Sequence, residues 1–304
     1  MMSRSNVTNT VQATESPAPA TSEMGGVLAA YGGGWRAALH ARVQRIAGRS
    51  TLAHVAHHGP LRLQKALWPE GPDPVHLIVL HPPGGIAGGD SLSLRVDIDQ
   101  DACALLTTPG AGRWYRADAP AFQSTSLQVG PGACLEWLPQ EVIVHDGVRA
   151  HGQFTVDVAD GAVAMGCEVT VLGRRESGER VTHGEYLQRL TLRQGARLLF
   201  DERSRIDGGE AGGSAALGAH HVSGLVWAVS SAPMNEALAA QVEAAMDASG
   251  VALCGASCVD PFLLLARAVD SSTERARAAM TAAWTVIRPA LTGREAIVPR
   301  IWST

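Results

Sequence analysis

Three carboxylates stand where small or apolar residues would be expected. Asp90 closes a glycine-rich stretch, "LHPPGGIAGGDSLSL" at residues 80–94. Glu168 interrupts the apolar run "AMGCEVTVL", and Glu202 sits in "LLFDERSRI". A buried, unpaired carboxylate has a raised pKa. Each of these acids therefore calls for a partner: an arginine such as Arg113, Arg116, Arg174 or Arg203, a metal ion, or water in a channel. Glu168 lies six positions after Ala162, and Glu202 six after Ala196. Equal offsets in stacked repeats would bring both carboxylates to one side.

The glycine stretch could also hold a phosphate, but the pattern argues against it. A phosphate loop needs a helix starting just after it, so that the N-terminal amides face the anion. Here a strand-like run follows, Gly89-Asp90 stands where a Walker loop has Gly-Lys, and G-x-G-x-x-G is absent. The stretch reads as a tight turn between strands that delivers Asp90 among small neighbours. The histidines give no tight metal site. His54, His57 and His58 share one strand-like segment, and neighbours in a strand face opposite sides; His220 and His221 have the same geometry. Cys103, Cys134, Cys167, Cys254 and Cys258 lack a second pair that would complete a zinc set. They read as structural thiols in a reducing compartment. No Ser-His-Asp order or H-E-x-x-H pattern supports nucleophilic or zinc hydrolysis.

The elements that must position the acids are mostly strands. "LSLRVDI" puts Leu92, Leu94, Val96 and Ile98 on one face at period two. A unit of strand, polar or glycine turn, alanine and strand recurs around Ala102, Ala133, Ala162 and Ala196. Each unit is a hairpin too small to bury its own face, and stacking would give one continuous core. The expected fold is mainly β: a β-helix-like, layered stack of strand hairpins. After Gly213 a small α/β part with two helices follows. "VSGLVWAVS" reads as a strand, "MNEALAAQVEAAMDASG" as a helix stopping at Gly250, and 251–259 and 262–268 as two short strands. "SSTERARAAMTAAWTVIRP" is the second helix, with Ser271 and Glu274 as a capping box and Pro289 as its stop. Residues 1–34 are rich in Ser, Thr, Ala and Pro and read as a disordered tail. The β-rich body should run over about 35–210 and the α/β part over about 214–304.

Bulk properties exclude several classes. A net charge of -4 and few aromatics argue against a nucleic-acid partner. No apolar run approaches the ~20 residues of a membrane span, and the N-terminus has no signal-peptide core. A cytoplasmic location fits.

The ordered set "LHPPGGIAGGD", "LLTTPGAGRWYR", "LEWLPQE", "LGRRESGE", His183-Gly184 and the terminal "PRIW" resembles the urease accessory protein family UreD, also called UreH. The resemblance runs from about Trp35 to the C-terminus. It implies no enzyme but a metallochaperone-type scaffold. Such a scaffold binds the urease apoprotein, assembles with UreF-like and UreG-like accessory proteins, and helps deliver Ni²⁺ to the urease active site. It further implies that Asp90, Glu168 and Glu202 line an internal acidic tunnel that passes Ni²⁺ transiently and with low affinity. Loose carboxylate sites suit conduction, which requires attraction without trapping. Two departures stand out: Arg175 replaces a proline common in the family, altering a surface contact, and Gly112 replaces a small hydroxyl residue, widening the lumen. Two other readings remain open on the residues alone. One is a β-solenoid carbohydrate-active enzyme using paired carboxylates about 5 to 10 Å apart, weakened by the few aromatics. The other is a purely structural interaction module with every acid in a salt bridge.

Overall fold

The computed structural model describes residues 33–208 and 217–303. The repeat unit dictates the architecture. In three successive copies a strand ends in a tight turn and the next strand begins in a second, facing sheet. These are β5 (Ser91–Ile98) to β6 (Cys103–Thr107), β8 (Ala121–Val129) to β9 (Cys134–Leu138), and β11 (Val148–Val158) to β12 (Val163–Leu172). The two arms of a unit do not pair with each other. β5, β8 and β11 pair in parallel, and so do β6, β9 and β12. This corrects the hairpin reading for these three units: the chain coils, and each arm bonds to its equivalent in the next turn of the coil.

The alanine explains why the units stack. Ala102, Ala133 and Ala162 are each 2% exposed or less. They sit at the corner where the chain changes sheet, and a larger side chain would push the sheets apart. The carbonyls of Ala102 and Ala133 accept from the N–H of Cys134 and Val163, so the corners form a ladder. The residue before each alanine is left-handed: Asp101, Gly132 and Gly161 have φ of 59°, 66° and 79°. The fourth unit departs from this. β13 (Gly184–Gln194) and β14 (Arg197–Asp207) form a true antiparallel hairpin at the sheet edge, and Ala196 is exposed.

The first sheet has seven strands, in the order β14, β13, β11, β8, β5, β1 (Arg36–Ile46), β2 (Arg49–His58). The second has ten. Its main path runs from β3 (Arg62–Leu63) and β4 (Val75–Leu80) through β6, β9 and β12. It continues to β15 (Val222–Val229), β17 (Leu263–Asp270) and β16 (Leu253–Asp260). Two short strands, β7 (Gly112–Trp114) and β10 (Val142–Val144), join it through β12. The last three strands of the main path lie in the C-terminal part, so that part shares its sheet with the body. It also carries both α-helices of the described residues, α1 (Glu236–Asp247) and α2 (Thr273–Thr292).

Two apolar layers result. One fills the space between the sheets and holds Leu92, Leu94, Val96 and Ile98, the alternating set of β5. The other lies between the second sheet and the helices, around Met165, Trp284 and Ile287. A buried ion network ties α2 to the sheet. Arg288, fully buried, bonds to Glu136 at 3.1 Å and to Glu70 at 2.7 Å, and Trp284 Nε1 donates to Glu136 at 2.7 Å. Burial pushes the Glu136 carboxyl up against the pull of Arg288.

The helix boundaries shift slightly from expectation. Ser272, rather than Ser271, caps α2 by accepting from the Arg275 N–H. Pro289 lies inside the helix, which ends at Gly293 with φ 69°. A proline in the last turn forfeits one bond without stopping the helix. Asn235 caps α1, which ends before Gly250. The residues assigned to an N-terminal tail, apart from 33 and 34, and the change of character at Gly213 lie outside the described residues.

Candidate functional site

Alternation along the strands decides where the three acids point. On β12, Ala164 and Leu172 face the inter-sheet layer, whereas Met165, Cys167, Val169 and Val171 face the helices. Glu168 has the parity of Ala164, so it projects between the sheets. On β14, Glu202 is paired with Leu190, a member of the inter-sheet layer. Residues directly opposite in a ladder share a face, so Glu202 projects inward too. The equal offsets from Ala162 and Ala196 thus bring both acids to one space, although they reach it from opposite sheets.

Their environments differ. Glu202 accepts from Arg267 Nη2 at 2.7 Å. Arg267 lies on β17 in the cross-strand row Glu168, Leu225, Arg267, so its side chain spans from the second sheet to the edge strand of the first. The pair is partly exposed. This partner was not among the arginines expected from the sequence; pairing across two sheets leaves no trace in sequence spacing. Glu168 lies behind that pair, half-buried, with no hydrogen-bond partner among the described residues. Burial first, and the charge of Glu202 second, push its carboxyl up to about 7.

Asp90 has a different setting. It is 7% exposed, and its two oxygens accept from the backbone N–H of Trp35 at 2.7 Å and of Ala87 at 2.8 Å. It therefore fastens the glycine turn to the start of β1. The turn is tight for that reason. Gly89 has φ 86°, and a Cβ on Gly34 would lie 2.0 Å from the Gly89 carbonyl carbon. Asp90 precedes the Ser91–Phe122 pair, so its row continues inward through Ala121, Ala150 and Tyr186. Two alanines and a tyrosine thus separate Asp90 from the far end of its row. Tyr186 lies beside Thr170, and burial first and Glu168 second push its phenol up.

Sequence reasoning missed His81, Tyr186 and Arg267. His81 opens the glycine turn, and burial pushes its imidazole down against the opposing pull of Asp90. It is thus a neutral ring with a free lone pair to offer near a carboxylate. Its place immediately before "PPGGIAGGD" was the available signal.

Among the described residues, no three His, Cys, Asp or Glu side chains gather closely enough to hold a metal ion. A surface cleft of about 790 Å³ is lined by Tyr115, His145, Asp146, Arg174 and Glu179, among others, and by none of the three acids. Gly112 is exposed at the start of β7 beside Val142, so it does not widen the inter-sheet space. Arg175 lies in a short 3-10 turn, Arg175–Ser177, next to that cleft. No helix of the described residues is long and apolar enough to cross a membrane.

The family model described as UreD urease accessory protein matches residues 36–303. The urease accessory protein UreD of Azoarcus sp. (strain BH72) is 43% identical over 275 residues, covering 89% of this chain and 95% of its own. The protein of the same name from Dechloromonas aromatica is 42% identical over the same shares. That of Pseudomonas aeruginosa PAO1 is 40% identical over 270 residues. Matches of this extent, over nearly the whole coil and the C-terminal part, place the chain in the UreD family of urease accessory proteins.

Proposed function

We propose that this chain is a cytoplasmic, non-enzymatic scaffold that binds the urease apoprotein together with UreF-like and UreG-like partners. In this reading Ni²⁺ passes through the inter-sheet space to the urease active site. One observation carries the proposal: Glu168 projects between the sheets with no hydrogen-bond partner among the described residues, behind a Glu202 paired with the partly exposed Arg267. A protein built for stability alone would pair or replace such a group, because burying a carboxylate without compensation is costly.

The chemistry suits transit. At neutral pH Glu168 is about half protonated, so an approaching divalent cation displaces a proton at little cost. Arg267 competes with the cation for Glu202 and keeps that carboxylate from holding it tightly. Asp90, with the neutral His81 beside it, marks the other end of the proposed path. Imidazole and carboxylate are both acceptable Ni²⁺ ligands, and their separation along the space favours passage over storage. Ni²⁺ is cargo here, not a resident cofactor.

The test is to co-express Glu168→Gln with the urease subunits and the other accessory proteins. The variant is expected to co-purify normally and to lower urease nickel several-fold. Asp90→Ala is a poor substitute, because it also removes the acceptor for two backbone amides. The carbohydrate-enzyme reading loses ground on geometry: Glu202 is tied to Arg267, and the open cleft contains none of the acids.

A further inference from the structure

Cys103 and Cys134 are directly opposite on the parallel strands β6 and β9. Side chains opposite in a parallel pair share a face, and the ~4.8 Å between strands lies within the Cα separation that a disulfide spans. Both are buried, at 6% and 7% exposure, and neither belongs to the two apolar layers. Their surroundings are polar. Arg294 Nη2 reaches the Cys103 sulfur at 3.3 Å, and the Cys103 N–H donates to Ser50 Oγ at 2.7 Å. Arg294 lies on the segment that follows α2, so its contact with the thiol helps hold that segment against the sheet.

The charges around the pair come from four elements. Asp73 and Arg45 act on Cys103, Glu136 acts on Cys134, and Arg294 acts on both. The Cys134 thiol bonds to Cys103 and, with Arg294, brings the Cys103 thiol down to about 6. That same bond, with burial, pushes Cys134 up. Arg294, in contact with the Cys103 sulfur, favours the thiolate there over Cys134. Cys167 shows the contrast: it packs in the helix-facing layer, and burial pushes it up to about 12.

We propose that Cys103 and Cys134 form a redox-active dithiol that a peroxide oxidises to a disulfide, freeing Arg294 from its thiolate and loosening the segment after α2, which the Arg288–Glu295 and Trp302–Thr107 hydrogen bonds continue to anchor. The Cys103 thiolate attacks one peroxide oxygen. An S–O bond forms, the O–O bond breaks, and the departing hydroxide takes a proton from solvent to become water. Cys134 then attacks the sulfenic sulfur. An S–S bond forms, the S–O bond breaks, and hydroxide leaves as water with the Cys134 proton. Two thiols give up two electrons, and the peroxide is reduced to two waters. The disulfide carries no charge, so Arg294 loses its anion.

The test uses the reduced full-length chain and hydrogen peroxide at pH 7. Peptide mapping should recover a Cys103–Cys134 disulfide that a reductant reverses, while Cys254 and Cys258 remain free at the same dose. Hydrogen exchange at residues 294–303 should rise on oxidation. Arg294→Gln should slow disulfide formation about tenfold, because the thiolate is the nucleophile. Free Cys103 and Cys134 at a dose that consumes Cys258 would overturn the dithiol. An unchanged rate in Arg294→Gln, or unchanged exchange at 294–303, would overturn the coupling to that segment.

Discussion

Glu168 and Arg288 are buried charges with opposite histories, and each makes a separable prediction. The Glu168 carboxyl is raised to about 7, so the folded chain binds more protons at this group than the unfolded chain does. Its contribution to stability is therefore favourable at low pH and declines as pH rises from the ordinary carboxyl range through about 7. Glu168→Gln should raise stability at pH 8 by roughly 1–3 kcal/mol and change little at pH 5. Urea denaturation at the two pH values measures this, and equal effects at both would show that the group is not desolvated. Arg288 is paired twice and fully buried. Arg288→Met removes the guanidinium from Glu136, which keeps the Trp284 N–H, and from Glu70, which keeps His76 at 2.7 Å, and should cost about 3–5 kcal/mol, mostly at Glu136. Adding Glu136→Gln and Glu70→Gln should restore much of that loss, because what destabilises is the orphaned charge and not the missing arginine.

At the scale of the element, the glycine turn is a fastener. Asp90 accepts two backbone amides, Gly89 supplies the left-handed corner, and Gly34 lies against it. Gly89→Ala should cost on the order of 1–2 kcal/mol through its positive φ. Gly34→Ala should cost more, because a Cβ there meets backbone that cannot move aside. Melting temperatures of the two variants give the order, and the reverse order would mean that the turn is looser than described. This element also marks how far the sequence could be read. The alternation of β5 and the alanine period were legible because both are local. The offsets of Glu168 and Glu202 from their alanines led to the right space for an incomplete reason. The last unit folds back as a hairpin, so Glu202 arrives from the facing sheet. In "LTLRQGARLLF" the exposed Arg197 follows the alanine where the units that cross over have the buried Cys103, Cys134 and Val163, a local difference that the repeat reading passed over. The Glu202 to Arg267 contact and the meeting of Cys103 with Cys134 depend on sheet order.

At the scale of the molecule, the family is established by similarity over residues 36–303, while the proposed route of the metal rests on Glu168 and the Glu202–Arg267 pair at the edge of an otherwise apolar inter-sheet layer. The C-terminal part extends the second sheet through β15, β17 and β16 and covers its outer face with α1 and α2. The most direct measurement of the central claim is the nickel content of urease matured with Glu168→Gln in place of the native chain, with complex formation checked by co-purification. The account predicts an intact complex and several-fold less nickel per urease active site. An intact complex with full nickel loading would contradict it.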